Sequence, residues 1–390
     1  MKHPRAFERI FQHVTAITWV SMFLGFALTG WIVWLGLISW SVVEAYQLSK
    51  IVHANGTTIG SESLLRRIIK LTLAISFIFT YGLFWWNDRG SEERGSHPRT
   101  IMRTLPIWKK LQEYFPINLV LCEDIMDVNP SVESARSVQT AKHQPGKETV
   151  VPCNPSLFPT NQNYLVGYHP HGIFGVGAFV NFATEANQFS TLFPGLKPWI
   201  TTLPINFKAP FHRDFLMSFN LISATYKGIS YLLDPGKCGS TGNFVVIVMG
   251  GAPEALDSRP GKYIFHTNKR YGFFKLALMT GTPLVPCVSF GEPNMYHQVR
   301  NPPGCRLRTW QDKFTEFATF STPLFYARAL LPYRTPINTV VGAPIPVPKV
   351  LTPTREQISS LKELYLNQLN QLFKRYKPIY DPNACDLEFF

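Results

Sequence analysis

Tyr164-Leu165-Val166-Gly167-Tyr168-His169-Pro170-His171-Gly172 joins a short apolar run to two histidines, a proline and a glycine. An apolar run of this length, stopped by turn residues, reads as a buried strand. Pro170 biases His169 toward an extended conformation. Residues two apart in an extended chain share a side, so both imidazoles are expected to project together. Gly172 lets the backbone turn or approach a ligand closely. The pair could be metal ligands, a general base with a structural neighbour, or two satisfied histidines at a strand end. A metal would want further ligands nearby, and the next carboxylate along the chain is Glu185, so that reading ranks third. Gly172-Ile173-Phe174-Gly175-Val176-Gly177 lacks the dinucleotide pattern and holds no basic residue. It reads instead as a tight turn offering backbone N–H groups to an anion or oxyanion.

The same texture recurs along the chain. Phe244 to Met249 runs into Gly250, Leu284 to Phe290 into Gly291, and Thr339-Val340-Val341 into Gly342, each as a buried strand would. Arg270 to Thr280 has a helical pattern with Gly281 as its stop. Thr352-Pro353 supplies a cap for a last helix, along which Ile358, Leu361, Tyr365, Leu369, Leu372 and Tyr376 recur at helical spacing. Lys374, Arg375 and Lys377 suit the negative end of its dipole. Strands alternating with helices predict an α/β domain, a mainly parallel sheet flanked by helices, with ligands at the strands' carboxyl ends. Gly250-Gly251-Ala252-Pro253-Glu254 lies at such an end, and Glu254 is either a helix-capping carboxylate or a site group. Set against His171, it would fix the imidazole tautomer and stabilise the imidazolium. No G-x-S-x-G elbow occurs, which disfavours a serine esterase.

The composition agrees with a lipid-facing protein. Of 390 residues, 45 % are hydrophobic and only 16 % charged, which excludes a disordered low-complexity chain. Lys and Arg outnumber Asp and Glu by 38 to 25, so a membrane surface or an anionic ligand is expected. Nucleic acid is not, because the basic residues do not gather in runs. The six cysteines are scattered without C-x-x-C, as in a reducing compartment.

No Asp, Glu, Lys or Arg occurs from Ile10 to Val43, and a second apolar run spans Leu71 to Trp86. The predicted organisation is an N-terminal membrane hairpin over 1–87, with helices at about 14–43 and 68–87. A juxtamembrane segment and insertion loop (88–160) and a catalytic domain (161–390) follow. Basic residues before the first run (Lys2, Arg5, Arg9) and after the second (Arg89, Arg94, Arg99, Arg103, Lys109, Lys110) put both outer ends in the cytosol. The loop carrying Asn55-Gly56-Thr57, an N-x-[ST] triplet, would then reach the lumen.

Several motifs in order extend the reading: Tyr114-Phe115-Pro116, His169 to Gly172, Asn181-Phe182-Ala183-Thr184-Glu185, Phe193-Pro194-Gly195 and Gly250 to Gly261. Arg270-Tyr271-Gly272-Phe273-Phe274-Lys275-Leu276-Ala277, Leu284-Val285-Pro286 and Phe290-Gly291-Glu292 complete the series. Together they resemble the type-2 diacylglycerol acyltransferase family, which includes monoacylglycerol and wax-alcohol acyltransferases. The resemblance implies transfer of a fatty acyl group from acyl-CoA to a glycerolipid hydroxyl at the endoplasmic reticulum membrane, with no cofactor and no metal. Acyl-CoA, diacylglycerol or monoacylglycerol, membrane lipids and further copies of the chain are the implied partners, and lipid droplets a second location.

The resemblance also implies a remote likeness to glycerolipid acyltransferases that use a histidine–carboxylate pair. No H-x-x-x-x-D occurs here, so the carboxylate must come from elsewhere. His171 is the expected base, His169 its orienting neighbour and Glu254 the carboxylate, with Glu185 and Glu292 as substitutes. Gly172, Gly250 and Gly251 would flank the oxyanion, and Arg270 and Lys275 would meet CoA phosphates. This chain departs from the family in the 127–160 stretch, in the long 44–70 loop, and in Phe23-Leu24-Gly25-Phe26, which only loosely resembles a lipid-binding motif. A non-catalytic lipid-binding protein and a metal-dependent lipid hydrolase are the rival classes.

Overall fold

A computed structural model describes residues 6–53, 61–125, 152–267, 270–328 and 331–390. Seven strands form the main sheet: β1 (Ile117–Leu121), β2 (Tyr164–His169), β3 (Lys197–Thr202), β4 (Leu221–Ser223), β5 (Asn243–Val248), β6 (Leu284–Phe290) and β7 (Ile337–Val341), in the order β1-β7-β6-β2-β5-β3-β4. The five strands from β6 to β4 are mutually parallel, while β7 runs antiparallel to β6 and carries β1 parallel to itself. The sheet is thus mainly parallel, as expected.

Three of these strands were not evident from the sequence. Ile117–Leu121, which lies in the stretch read as juxtamembrane, is the edge strand beside β7. β3 opens with Lys197 and Pro198, which hide its strand character, and β4 is only three residues long. The main helices are α1 (Ala6–His53), α2 (Ser61–Asn87), α3 (Pro106–Tyr114), α4 (Ala252–Asp257), α5 (Tyr271–Thr280), α6 (Arg306–Ala318) and α7 (Arg355–Tyr380). Gly281 terminates α5 in the left-handed conformation. The cap of α7 is Thr354, not Thr352, because Thr354 and Gln357 form a reciprocal capping box.

Register puts the chemistry in one place. Tyr168 of β2 is level with Val248 of β5, and His169 with Val288 of β6. Three parallel neighbours therefore release their chains at the same edge. The loop after His169 is flanked by the Gly250–Glu254 loop on one side and by Gly291-Glu292 on the other.

α1 is longer than the sequence suggested. Its 48 residues at about 1.5 Å each give roughly 72 Å, more than twice an apolar bilayer core of about 30 Å. The excess lies against the sheet domain: Ala16, Trp19 and Val20 are buried in its core. Two windows, Gly25–His53 and Glu62–Glu93, are long and apolar enough to cross a membrane, and only 17 % and 6 % of them are buried. Asn55-Gly56-Thr57 lies outside the described residues, as does most of the 127–160 stretch.

The hairpin and the domain meet through close contacts. Gly30 of α1 sits against the Pro210 carbonyl, where any Cβ would collide with the oxygen. Phe211 stacks on Tyr81 of α2 at 4.7 Å, and Trp34 packs edge-on against both rings. The Tyr81 hydroxyl donates to Asp214 (2.6 Å) and accepts from the Phe211 amide (2.7 Å). Filling the Gly30 contact should therefore pry α1 off the domain. Gly30→Leu is expected to cost about 1–3 kcal/mol of stability, as overpacking does. Thermal unfolding of the detergent-solubilised protein reads this, and an unchanged Tm would mean the contact does not hold the helix.

Candidate active site

β2 is central, so its last residue enters the crevice from the middle of the sheet. His169 is fully buried, stacked on Phe265 with centroids 4.9 Å apart. Its Nε2 is 3.0 Å from the Tyr365 hydroxyl of α7. Burial, assisted by the neighbouring His171, pushes its pKa down to about 3, so it is neutral at any physiological pH.

His171 has different neighbours. Its Nε2 lies 3.0 Å from the Gly251 carbonyl oxygen. A carbonyl can only accept, so Nε2 carries the proton and Nδ1 of the neutral ring is the basic nitrogen. Burial pulls the pKa of this ring below its ordinary value, opposed by the Gly251 carbonyl and its own. The two imidazoles thus do not work as an extended-chain pair: one belongs to the α7 side of the core and the other to the Gly250–Gly251 turn.

Glu254 is buried in the first turn of α4, and its hydrogen bonds go to main-chain amides, not to the His171 imidazole. Its Oε1 accepts from the His171 backbone N–H (3.1 Å) and its Oε2 from the His266 backbone N–H (3.3 Å). The expected imidazole–carboxylate pair is therefore corrected to a carboxylate that grips two main-chain segments. Burial raises its pKa to about 8 against the pull of both amides and of Arg270. Arg270, at the start of α5, donates to the Gly250 carbonyl at 2.5 Å. Lys275 is exposed farther along that helix.

The substitute carboxylates are engaged elsewhere. Glu185 pairs with Arg103 (2.6 Å), and Glu292 accepts from the Gly177 amide (2.6 Å) and the Tyr168 hydroxyl (2.9 Å). Asn181 accepts from Asn187, and Tyr114 donates to the Pro332 carbonyl, with Phe115 edge-on against it. The carbonyl of Pro116 receives Ile337 of β7, so Tyr114-Phe115-Pro116 anchors the sheet edge and not the histidine loop.

The structure adds a cluster that the sequence did not suggest. Asp257, at the end of α4, accepts from His266 Nε2 (2.9 Å) and from Arg308 Nη1 (2.5 Å). Against the push of burial, these two hold its carboxyl down to about 2. An ionised acceptor fixes the proton on His266 Nε2, by the same logic that fixes the His171 tautomer. Nine and fifty-one residues separate the partners of Asp257 in the chain, so no local spacing could reveal them. Among the described residues no group of three His, Cys, Asp or Glu side chains is arranged to hold a metal ion.

A buried histidine whose ring faces a carbonyl and whose main chain is held by a carboxyl, at the carboxyl edge of a mainly parallel sheet, has the parts that a general base would need. Comparison with known proteins specifies the class. Residues 151–389 match the model of the family described as diacylglycerol acyltransferase. The human 2-acylglycerol O-acyltransferase 1 is 38 % identical over 312 residues, 78 % of this chain and 82 % of that one. The human diacylglycerol O-acyltransferase 2 is 37 % identical over 307 residues, 77 % and 69 % of the two chains. Diacylglycerol O-acyltransferase 1 of Schizosaccharomyces pombe is 44 % identical over 231 residues, 57 % and 66 % of the two. The chain belongs to the diacylglycerol acyltransferase family.

Glu254→Gln tests the grip on the two amides. A carboxamide presents one acceptor and one donor, so one buried backbone N–H must lose its partner, at about 1–3 kcal/mol. If that strain reaches the transition state, turnover falls about ten- to a hundredfold. Unaltered turnover of the variant in an acyl-transfer assay would show that Glu254 is not needed to place His171.

Proposed function

We propose that the protein transfers a fatty acyl group from acyl-CoA to the free hydroxyl of diacylglycerol, forming triacylglycerol. The observation that carries this reading is the His171 tautomer: with Nε2–H committed to the Gly251 carbonyl, Nδ1 is left to take a proton. An alcohol attacks a thioester poorly until a base removes its proton. Nδ1 takes the hydroxyl proton as the acceptor oxygen bonds to the thioester carbon. The tetrahedral intermediate then expels the CoA thiolate, which recovers the proton from the imidazolium.

Backbone N–H groups of the Gly172–Gly177 turn, or of Gly250 and Gly251, meet the oxyanion. Glu254 keeps the His171 main chain in place, and His169 supports the loop from the core. Arg270, with Lys275 farther along α5, receives the phosphates of CoA. A monoacylglycerol acceptor is the second reading, favoured by the 38 % identity to a 2-acylglycerol O-acyltransferase across most of both chains. A wax alcohol would use the same chemistry.

The two apolar windows of α1 and α2 support a hairpin that enters and leaves the endoplasmic reticulum membrane, with 161–390 as a cytosolic catalytic domain. Both lipids partition into the bilayer, and acyl-CoA is held in the cytosol, so this orientation brings donor and acceptor to one face.

Membranes containing the protein, given labelled oleoyl-CoA and a panel of acceptors, should form triacylglycerol from diacylglycerol. His171→Ala should reduce this about 100- to 10,000-fold while the protein still accumulates in membranes. Near-normal turnover in that variant would end the mechanism, and a product formed only from monoacylglycerol would move the reading to the second acceptor. Protease added to sealed microsomes should cut the domain beyond about residue 88 and spare the 44–70 loop. Protection of the whole domain would reverse the orientation and put the site on the wrong side of its donor.

A further inference from the structure

Gly291 and Glu292, which follow β6, have no task in the acyl transfer just described. Gly291 has φ 93° and lies so close to the Pro336 carbonyl that a Cβ would collide with it. This turn bends the chain back beneath the histidine loop and brings Glu292, 1 % exposed, under both ends of the Gly172–Gly177 turn. At one end, a Cβ added to Gly172 would stand 2.8 Å from the Glu292 backbone oxygen. At the other, Oε1 of Glu292 accepts from the Gly177 amide at 2.6 Å, where a Cβ on Gly177 would stand 2.6 Å from that same oxygen. The Tyr168 hydroxyl donates to Oε1 as well (2.9 Å), so the strand residue before His169 is tied to the same group.

We propose that Glu292 is a positioning residue for acyl transfer, a buried clamp that fixes the Gly172–Gly177 turn and thereby the amides and the imidazole that the reaction uses. This rests on the reading that the turn lines the acyl-transfer site. Oxyanion donors work only when they are already aimed at the place where charge develops, and reorientation during the reaction forfeits their effect. The turn is glycine-rich, and within it the Gly175 amide donates to the His171 carbonyl at 2.8 Å. Glu292 adds to this an acceptor atom on one side and a backbone wall on the other.

The role needs an acceptor oxygen, not a charge. Burial raises the pKa of the carboxyl to about 8, against the Gly177 amide, the Tyr168 hydroxyl and the Ala178 amide. Oε2 has no hydrogen-bond partner among the described residues. A glutamine keeps Oε1 and places its amide nitrogen where Oε2 was. A leucine keeps most of the volume but strips the Gly177 amide and the Tyr168 hydroxyl of their shared acceptor.

The experiment compares Glu292→Gln, Glu292→Leu, Gly177→Ala, His171→Ala and the unaltered protein. Oleoyl-CoA kinetics are measured in membranes, and backbone hydrogen exchange over 172–178 in the purified full-length chain. Glu292→Leu should lose about 100-fold in kcat, the size of effect seen when an oxyanion donor is lost, and exchange faster at Gly177 and Ala178. Its KM for oleoyl-CoA should stay within about threefold, because the clamp acts on the transition state and not on donor binding. Glu292→Gln should stay within about threefold of the unaltered protein in both readouts, the rescue a purely acceptor role demands. Gly177→Ala, which crowds the same oxygen, should fall between the two, and it carries the test if Glu292→Leu does not accumulate.

Normal kcat in Glu292→Leu, a loss confined to KM, unchanged exchange, or a glutamine as inactive as the leucine would each overturn the proposal. Turnover retained by His171→Ala would instead show that the turn is not the acyl-transfer site. The exchange data would then report on the clamp by itself, so the two failures are told apart.

Discussion

One buried carboxylate joins the parts of the molecule on which the proposed chemistry depends. Glu254 accepts the backbone amides of His171 and His266 on its two oxygens, so the loop after β2 and the segment before α5 are both sewn to the first turn of α4. Without that link the three strand ends would still meet at one edge, but the His171 main chain would lose its tie to α4. Transfer of such a group from water is costly, which is why burial moves its pKa to about 8. Two main-chain donors and the nearby Arg270 recover part of that cost. Asp257 extends the same device one turn along α4, with its charge balanced by His266 and Arg308.

The second constraint is length. α1 is a single helix too long to lie wholly within a bilayer, and its first half is spent on the domain. Trp19 packs edge-on against Phe174 with centroids 6.0 Å apart, and Phe174 lies three residues beyond His171. Phe26 does the same against Phe215 farther along. The helix is therefore not a tether hung from the domain by a flexible linker. It is one wall of the domain that continues into the apolar windows, and Gly30 and Phe211 mark the level where the two functions change over.

Much of this was legible from the chain. Apolar runs ending in Gly or His located β2, β5, β6 and β7, because strands buried on both faces carry little polar interruption. The motifs at their ends gave the histidine loop, the Gly250–Glu254 turn and Gly291-Glu292. The edge elements were harder. β1 and β4 are short or partly exposed, and β3 opens with Lys197-Pro198, so their strand character comes from pairing and not from local pattern. The partner of each histidine was also out of reach. Sequence suggested a carboxylate for His171, whereas the fold supplies a carbonyl. His169 is matched with Tyr365, 196 residues away.

That carbonyl matters to the proposed chemistry. A histidine paired with a carboxylate gains basicity because the ion pair stabilises the imidazolium, but in a buried site the unreacted pair must be kept out of water. A carbonyl sets the tautomer without adding a charge. In the proposed mechanism it would leave the imidazolium less stabilised, so the ring would take a proton only as the alcohol attacks and return it readily to the departing thiolate. For thioester alcoholysis this is sufficient: the proton leaves the acceptor hydroxyl and ends on sulfur, so a single base need only carry it from one to the other. With His169 held neutral in the core and His171 neutral against Gly251, Arg270 and the Asp257 cluster flank the Glu254 carboxyl beside the histidine loop. There they can serve donor binding and loop placement without competing for the proton in transit.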